Sequence, residues 1–250
     1  IVHAEDAQVI AAAPEAEGTQ YSRFLQSRPR AAENVAISRV IELSRRTGCR
    51  VHILHLSSSD AIPIIAAAKR DGVRISAETC PHYLCFDAEQ IPSGATQFKC
   101  CPPIREAGNR ELLWQGLADG IIDTVVTDHS PSTVDLKRLD TGDFGDAWGG
   151  IASLQISLAA VWTEAQRRGF DLSDVVRWMA TNTADQIGLH DRGRIAVGAV
   201  AHLVAFAPDQ EFTVDVAELH HKNAVSAYDR LGLRGVVRRT FVASAELLVR

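Results

Sequence analysis

Residues 51–58 of the chain, VHILHLSS, are the stretch that decides the fold. The apolar run has the length of a buried parallel strand and leads to a side chain that can bind metal, His55. Two further segments share this form: residues 1–5, IVHAE, carry His3, and residues 124–131, TVVTDHSP, carry Asp128. In a (β/α)8 barrel the catalytic and metal-binding groups lie where such strands end. Two imidazoles and a carboxylate delivered in this way predict part of a metal site of hydrolase type.

The bulk composition is that of an ordinary globular protein. The chain has 250 residues, of which 46% are hydrophobic and 23% charged, and its formal net charge is −5. No run of Lys and Arg interleaved with aromatic residues indicates a nucleic-acid groove, and no stretch reaches the roughly 18 apolar residues of a membrane span. We therefore expect neither nucleic acid nor membrane as a partner. The five cysteines are odd in number and form no C-x-x-C pair, which favours a reducing, cytoplasmic setting.

Strand-like runs lie near residues 1–4, 51–56, 73–79 and 121–127, and helical patterns lie between and after them. This alternation predicts an α/β fold with a parallel sheet and right-handed crossovers. Four strands cannot close a barrel of eight and would leave two apolar edges unpaired. We therefore expect the second half of a (β/α)8 TIM-type barrel. The chain also opens on Ile rather than Met, and we find no signal peptide in it. On this view the start was processed away or the record is incomplete.

The pattern changes from Gly193 on, where short β-rich runs are separated by turn residues. No convincing helical periodicity links these runs, which predicts a small β-rich segment added to the main domain. We therefore expect two domains, a half-barrel over residues 1–190 and a β-rich segment over residues 191–250.

Nine short motifs follow one another along nearly the whole chain. They are VHAED (2–6), SRP (27–29), HLSS (55–58), ETCPHYL (78–84), KCCPPIR (99–105), TDHSP (127–131), AWGGI (147–151), ATNTA (180–184) and GRIAxG (193–198). In this order they make the chain resemble the cyclic amidohydrolases, a group that includes allantoinases, dihydroorotases and hydantoinases. The forms CPHY, PPIR, DHSP and WGGI make it most similar to the allantoinases.

The resemblance implies a (β/α)8 barrel with a small composite β-sandwich, of which this chain would hold strands five to eight and part of the sandwich. It also implies two divalent metals, usually zinc, bridged by a hydroxide and often by a carboxylated lysine. The family's first-strand H-x-H pair and this lysine do not occur here, since the chain has no H-x-H and no lysine before His3. We therefore expect the chain alone, as a fragment, to bind metal poorly and to be inactive.

By resemblance, His3 and His55 are ligands of the second metal, and Asp128 binds a metal and acts as general base and acid. Taken alone, a histidine at a strand end is more often structural, and Asp128 could equally be a helix N-cap. The family context favours the ligand roles. A carboxylate beside a metal-activated water can accept its proton and deliver it to the leaving nitrogen. His52 lies three residues before His55 and points to the opposite face, so we expect it to be structural.

Four residues are candidates for contact with the substrate: His82, Cys101, Gly150 and Ile151. His82 follows a strand on the active face. It could either lie behind the substrate pocket or contact the substrate directly. Cys101 stands where allantoinases commonly have Ser. Gly150 and Ile151 would offer backbone groups to a cyclic ureide, because glycine permits close approach, although a mere turn is the alternative.

The implied function is the metal-dependent hydrolysis of a cyclic amide, in which allantoin is opened to allantoate by a hydroxide held on the metal. A hydantoinase (dihydropyrimidinase) or a dihydroorotase is the alternative within the family. Dihydroorotases usually have Asn at the position of Cys101, which disfavours them. A non-catalytic amidohydrolase-like scaffold is the alternative of another class, and the presence of all three ligands disfavours it. The expected partner is a small cyclic ureide, and the resemblance also implies a homo-oligomer, a tetramer.

Overall fold

Three short parallel strands form the sheet that carries the predicted site. The computed structural model describes residues 1–243 and 245–247. In it, β1 (Val51–Ile53), β2 (Ile75–Thr79) and β3 (Thr124–Val125) pair in this order. Val51 lies opposite Ile75, and Glu78 lies opposite Thr124. Each strand falls within a predicted run and is shorter than that run.

The strand predicted near residues 1–4 is reduced to a single parallel bridge between Val2 and Ile53. The backbone N–H of Val2 donates to the carbonyl of His52 at 2.9 Å, and the N–H of Leu54 donates to the carbonyl of Val2 at 3.1 Å. These two bonds place Val2 beside β1. His3 therefore starts from the same edge of the sheet as His55.

Helices precede and connect these strands. They are α1 (Ala7–Ala11), α2 (Tyr21–Ser27), α3 (Arg30–Thr47), α4 (Ile62–Arg70) between β1 and β2, and α5 (Pro81–Cys85) and α6 (Ala107–Ala118) between β2 and β3. Short 3-10 turns lie at Ser59–Ala61, Ala88–Gln90, Thr96–Phe98 and Asp135–Lys137. Helix α5 is a short turn that begins at Pro81, because proline at the first position of a helix has the φ that a helix start needs.

Helix α3 shows how the sequence sets these elements. Pro29 precedes it in an extended conformation, and Gly48 ends it in the left-handed conformation, with φ at 71°. Ile37 and Ile41 lie four residues apart, so they share one helix face, and both are buried. The same side of α3 buries Glu33, whose carboxylate reaches the loop after His55.

The chain divides into two compact units. The first comprises Ile1–Ser153 together with His220–Ala227, and it contains β1 to β3. Its core includes large side chains that are almost completely buried: Phe24, Ile37, Ile53, Leu56, Ile65, Leu84, Ile104, Leu113 and Leu117. The division into domains at residues 190 and 191 stays a prediction.

The second unit comprises Leu154–Leu219 and the chain from Tyr228 on. Its helices are α7 (Ser157–Arg167), α8 (Leu172–Val176) and α9 (Asn182–Gln186), with a π-helical turn at Arg177–Thr181. Its strands β4 (Leu203–Thr213), β5 (Gly232–Val242) and β6 (Ala245–Leu247) form an antiparallel sheet. The β-rich character expected after Gly193 is therefore present. Within the described residues, no helix has both the length and the apolar character needed to cross a membrane.

Candidate active site

Two of the predicted ligands follow parallel strands in an uncommon backbone conformation. His55 lies two residues after β1 and has φ at 38°, and Asp128 lies three residues after β3 and has φ at 42°. Residues other than glycine adopt positive φ in only a few per cent of cases, and such strain clusters at functional sites. The conformation thus marks these two strand ends independently of their chemistry.

His3, His55 and Asp128 all line one cavity with a volume of about 1050 Å³. The wall also includes Arg28 and Lys99. The structure therefore brings together the three residues that the sequence analysis expected to meet. Their binding of a metal stays a prediction.

The two histidines converge on each other. His3 Nδ1 and His55 Nε2 lie 2.9 Å apart, with the rings at 70° to one another. Burial lowers the pKa of His55 and the His3 imidazole lowers it further, although the Asp128 carboxylate opposes the shift. The lowered pKa of His55 favours the neutral ring, which keeps a lone pair for a cation. Two converging imidazoles and a carboxylate on one cavity wall fit a divalent cation that accepts nitrogen and oxygen ligands.

A carboxylate behind His3 fixes the orientation of its ring. Glu5 Oε2 lies 3.0 Å from His3 Nε2 and 2.5 Å from Arg28 Nη1. Burial raises the pKa of Glu5, but the contacts with His3 and Arg28 outweigh this effect and hold the pKa below its usual value. A carboxylate bonded to one ring nitrogen fixes the tautomer and aim of a metal-binding histidine. Sequence analysis assigned no role to Glu5 or Arg28, although both stand within motifs that carry the resemblance.

The four candidates for substrate contact fall into two pairs. Cys101 and Gly150 line the cavity. His82 and Ile151 are buried and do not contribute to its wall, because His82 lies in the short helix α5 and Ile151 pairs with His129 in an isolated β-bridge. Contact of any of the four with a substrate stays a prediction.

Gly150 occupies a position that a larger residue could not take. Its φ is 130°, and a Cβ placed there would lie 2.3 Å from the carbonyl oxygen of Ser130. Its N–H donates to the carbonyl of Lys99 at 2.8 Å, and the Ile151 N–H donates to Ser130 Oγ at 3.3 Å. The N–H groups of Gly150 and Ile151 are therefore bonded within the protein.

A buried lysine holds this part of the wall. Lys137 Nζ donates to the carbonyl oxygens of Trp148 at 3.1 Å and Lys99 at 3.4 Å, and also to that of Gly150. Burial lowers the pKa of Lys137 to about 8. Sequence analysis missed this residue, because a lysine in a long Gly- and Asp-bearing loop has no local signal of burial.

A second unpredicted group supports the loop after His55. The carboxylate of Glu33 accepts from Arg105 Nη2 at 2.7 Å and from the backbone N–H groups of Ser57 and Ser58 at 2.9 and 3.0 Å. Glu33 and Arg105 lie 72 residues apart in the chain, so no spacing rule would have paired them. The HLSS motif thus owes its conformation to a buried acid in α3.

Two histidines outside the predicted ligand set have protein partners. His52 Nε2 lies 2.9 Å from Glu78 Oε2 and Nδ1 lies 2.9 Å from Ser76 Oγ, so the ring bridges β1 and β2 as a structural residue would. His129, next to Asp128, accepts the backbone N–H of Ser153 at 3.0 Å.

Comparison with known proteins finds relatives that match almost the whole chain. The sequence profile of the Amidohydrolase family matches residues 2–244. An allantoinase of Streptomyces avermitilis is 57% identical over 248 residues, which cover 99% of this chain and 55% of that protein. An allantoinase of Saccharomyces cerevisiae is 46% identical over 233 residues, which cover 92% of this chain and 50% of that protein. The solved L-hydantoinase (dihydropyrimidinase) from Arthrobacter aurescens aligns with a TM-score of 0.91 at 28% identity and covers 99% of this chain and 56% of its own.

The chain thus spans about half the length of the curated relatives it matches. The solved relatives confirm the predicted mixed α/β fold and partial barrel. The matching family is generally metal-dependent. With a profile match over almost every residue and a curated relative at 57% identity, the chain belongs to the amidohydrolase family.

Proposed function

We propose that the chain acts in the hydrolysis of a cyclic ureide, with allantoin as the substrate and allantoate as the product. One observation carries the proposal: His3, His55 and Asp128, from three separate segments, line the same cavity. Relatives named allantoinase, at 57% and 46% identity, support the choice of substrate.

We assign the metal-holding role to His3, His55 and Asp128, with zinc as the cation that suits two imidazoles and a carboxylate. A cation bound by them would activate a water molecule and polarise the carbonyl group under attack. Glu5, bonded to His3 Nε2, leaves His3 Nδ1 as the nitrogen that faces His55. The pair of histidines is therefore preorganised before any cation arrives.

Asp128 moves the proton. Its carboxylate accepts a proton from the attacking water and returns it to the ring nitrogen that leaves, as a positioned acid and base. Arg28 and Lys99 place N–H donors on the cavity wall, which suits the carbonyl oxygens of a ureide. Cys101 and Gly150 line the same wall. Because the side chain of Cys101 is small and Gly150 has none, they leave room for a five-membered ring.

A hydantoinase activity is the second candidate, and the structural likeness to L-hydantoinase from Arthrobacter aurescens favours it. The rings of hydantoin and allantoin share the amide bond to be cleaved, so the same histidines and carboxylate would serve both. The two candidates differ in the groups that receive the ureido substituent of allantoin. Comparison of the two substrates therefore tests the specificity of the site, since the proposed chemistry is the same for both.

The proposal is tested by measuring ring opening of allantoin, hydantoin, dihydrouracil and dihydroorotate with the complete product of the reading frame. We expect allantoin to be preferred and Asp128→Asn to lower kcat by about 10²–10⁴-fold, the usual contribution of a general acid or base. Asp140→Asn is the matched control, since this carboxylate is 72% exposed and lies in a loop outside the cavity wall. Activity of Asp128→Asn equal to that of Asp140→Asn would exclude the proposed role.

A homotetramer in the cytoplasm completes the proposal. The family resemblance supports the tetramer, and the odd cysteine count without a C-x-x-C pair supports the reducing compartment. Light scattering on the purified protein measures the oligomeric state, and a monomer at working concentration would exclude this part.

A further inference from the structure

A second group of metal-binding side chains lies beside Asp128. Within the described residues, Cys80, His82 and Asp128 each offer one donor atom, and these three atoms all lie within 4.8 Å of one another. The donors are a thiol sulfur, an imidazole nitrogen and a carboxylate oxygen. This set includes neither His3 nor His55.

His82 gives the strongest indication that this group binds an ion. Its side chain is completely buried, with 0% of its surface exposed, yet neither ring nitrogen has a hydrogen-bond partner among the residues that the structure describes. Buried polar atoms are nearly always bonded, and an orphaned one needs an explanation such as an ion. The short distances to Cys80 and Asp128 show where such an ion would lie.

The pairing of β2 with β3 brings Cys80, His82 and Asp128 together. Cys80 directly follows β2 and occupies the N-cap position of α5, in which His82 is the second residue. Asp128 follows β3, the parallel neighbour of β2. Asp128 also lines the cavity, whereas Cys80 and His82 are buried behind the wall. A cation would therefore reach the group from the cavity, past Asp128.

We propose that Cys80, His82 and Asp128 form a further cation site that takes a divalent metal with affinity for thiolate, such as Zn²⁺ or Cd²⁺, and that this site is distinct from the one at His3 and His55. Tetrahedral zinc has bonds of about 2.0–2.3 Å, which separate its ligand atoms by roughly 3.3–3.8 Å. The three donors therefore need to close by at most about 1.5 Å. On binding, the Cys80 thiol releases its proton to solvent and its sulfur lone pair forms the bond to the metal.

The site shares one ligand with the proposed catalytic centre. A cation held by Cys80 and His82 would draw the Asp128 carboxylate away from the cavity, so excess thiophilic metal would inhibit the enzyme. This consequence rests on the proposed function. The existence of the site does not, because cation binding is measured without any substrate.

The test is a titration of the 250-residue chain with Cd²⁺, followed by the near-ultraviolet charge-transfer absorption of cadmium thiolate and by calorimetry. We expect the absorption in the wild-type chain and its loss in Cys80→Ser. Cys49→Ser and Cys101→Ser are the matched controls and keep it, since neither thiol belongs to the group. Absorption that survives in Cys80→Ser, or disappears in Cys101→Ser, would overturn the proposal.

His82→Gln supplies a second measurement that does not alter any cysteine. We expect its cadmium affinity to fall by at least about tenfold, which is the lower limit even for losing a group that only orients a ligand. Circular dichroism checks that each variant keeps its helical content. If Cys80→Ser does not fold, His82→Gln decides, and an unchanged affinity in that variant would overturn the site. Allantoin hydrolysis is assayed separately, so a failure of the catalytic proposal remains distinguishable.

Discussion

Replacement of Glu33 by Gln should strongly destabilise the protein, because the carboxylate neutralises a buried cation. Glu33 is 1% exposed and Arg105 is 3% exposed. Glu33 Oε1 accepts from Arg105 Nη2 at 2.7 Å and from Nε at 3.2 Å, while Oε2 accepts from the N–H groups of Ser57 and Ser58. Each carboxylate oxygen thus accepts two hydrogen bonds, and both oxygens depend on the negative charge of Glu33.

The magnitude follows from this geometry. A glutamine side chain has the same shape but only one acceptor oxygen, so whichever way the amide turns, its NH2 group faces either Arg105 or the two serine N–H groups. Removing one partner of a buried ion pair costs about 3–5 kcal/mol, since the other charge stays buried and uncompensated. For a chain of this size, each kcal/mol lowers Tm by about 2–4 °C, which gives a fall of about 6–20 °C.

The assay is thermal unfolding of the 250-residue chain, followed by circular dichroism. The matched control is Asp71→Asn, which removes the carboxylate 2.5 Å from Arg45 in a pair whose side chains are 59% and 45% exposed. An exposed pair contributes about 0–1 kcal/mol, so Tm should move by no more than about 4 °C. A shift in Glu33→Gln no larger than that of the control would refute the reasoning.

A double variant separates the charge from the hydrogen bonds. In Glu33→Gln with Arg105→Met, no guanidinium remains buried beside residue 33, and the glutamine oxygen is free to accept from Ser57 and Ser58. Replacing a buried ion pair by apolar groups is often neutral. We therefore expect the double variant to unfold at a higher temperature than Glu33→Gln alone. A lower temperature would show that the uncompensated guanidinium is not the source of the cost.

Two further outcomes follow from single residues that support the cavity wall from behind. Glu5→Gln should weaken divalent cation binding by about 10–100-fold, because the carboxylate that orients His3 is lost, and calorimetry with unchanged affinity would contradict this. Burial lowers the pKa of Lys137 to about 8, so between about pH 8 and the unfolded value near 10.5 the native state binds fewer protons than the unfolded state. The unfolding free energy of the wild type should therefore rise with pH over this window relative to Lys137→Met, and parallel denaturation curves for the two proteins would contradict it.

The sequence was a good guide to the strands, because short runs with apolar and β-branched residues alternate with longer helical patterns. The run at 73–79 contains β2 (Ile75–Thr79), and the run at 51–56 contains β1 (Val51–Ile53). The run near residues 1–4 forms only the Val2 bridge to β1. Whether an apolar run becomes a ladder depends on its neighbours in space, and periodicity does not encode them.

The candidate site could be predicted where local sequence and fold geometry coincide. His3, His55 and Asp128 each end an apolar run, and the ends of parallel strands meet at one edge of a sheet. The supports of the site could not be predicted in the same way. Glu33 pairs with Arg105, which lies 72 residues away in the chain. Lys137 lies in a loop and is held by backbone carbonyl groups, which every residue has and which therefore give no sequence signal. Such contacts depend on the packed fold and leave no periodic or spacing signal.

Asp128 belongs both to the predicted donor set with His3 and His55 and to the unpredicted set with Cys80 and His82. Its left-handed backbone follows β3, which places the carboxylate on the cavity wall with His55 and within 4.8 Å of the donors behind that wall. A cation held by Cys80 and His82 would therefore compete for the Asp128 carboxylate with a cation held by His3 and His55. The position of Asp128 therefore couples the two donor sets, and the metal that each set prefers decides which of them the carboxylate serves. Nitrogen ligands with one carboxylate suit zinc, and the thiolate of Cys80 shifts the balance toward softer cations.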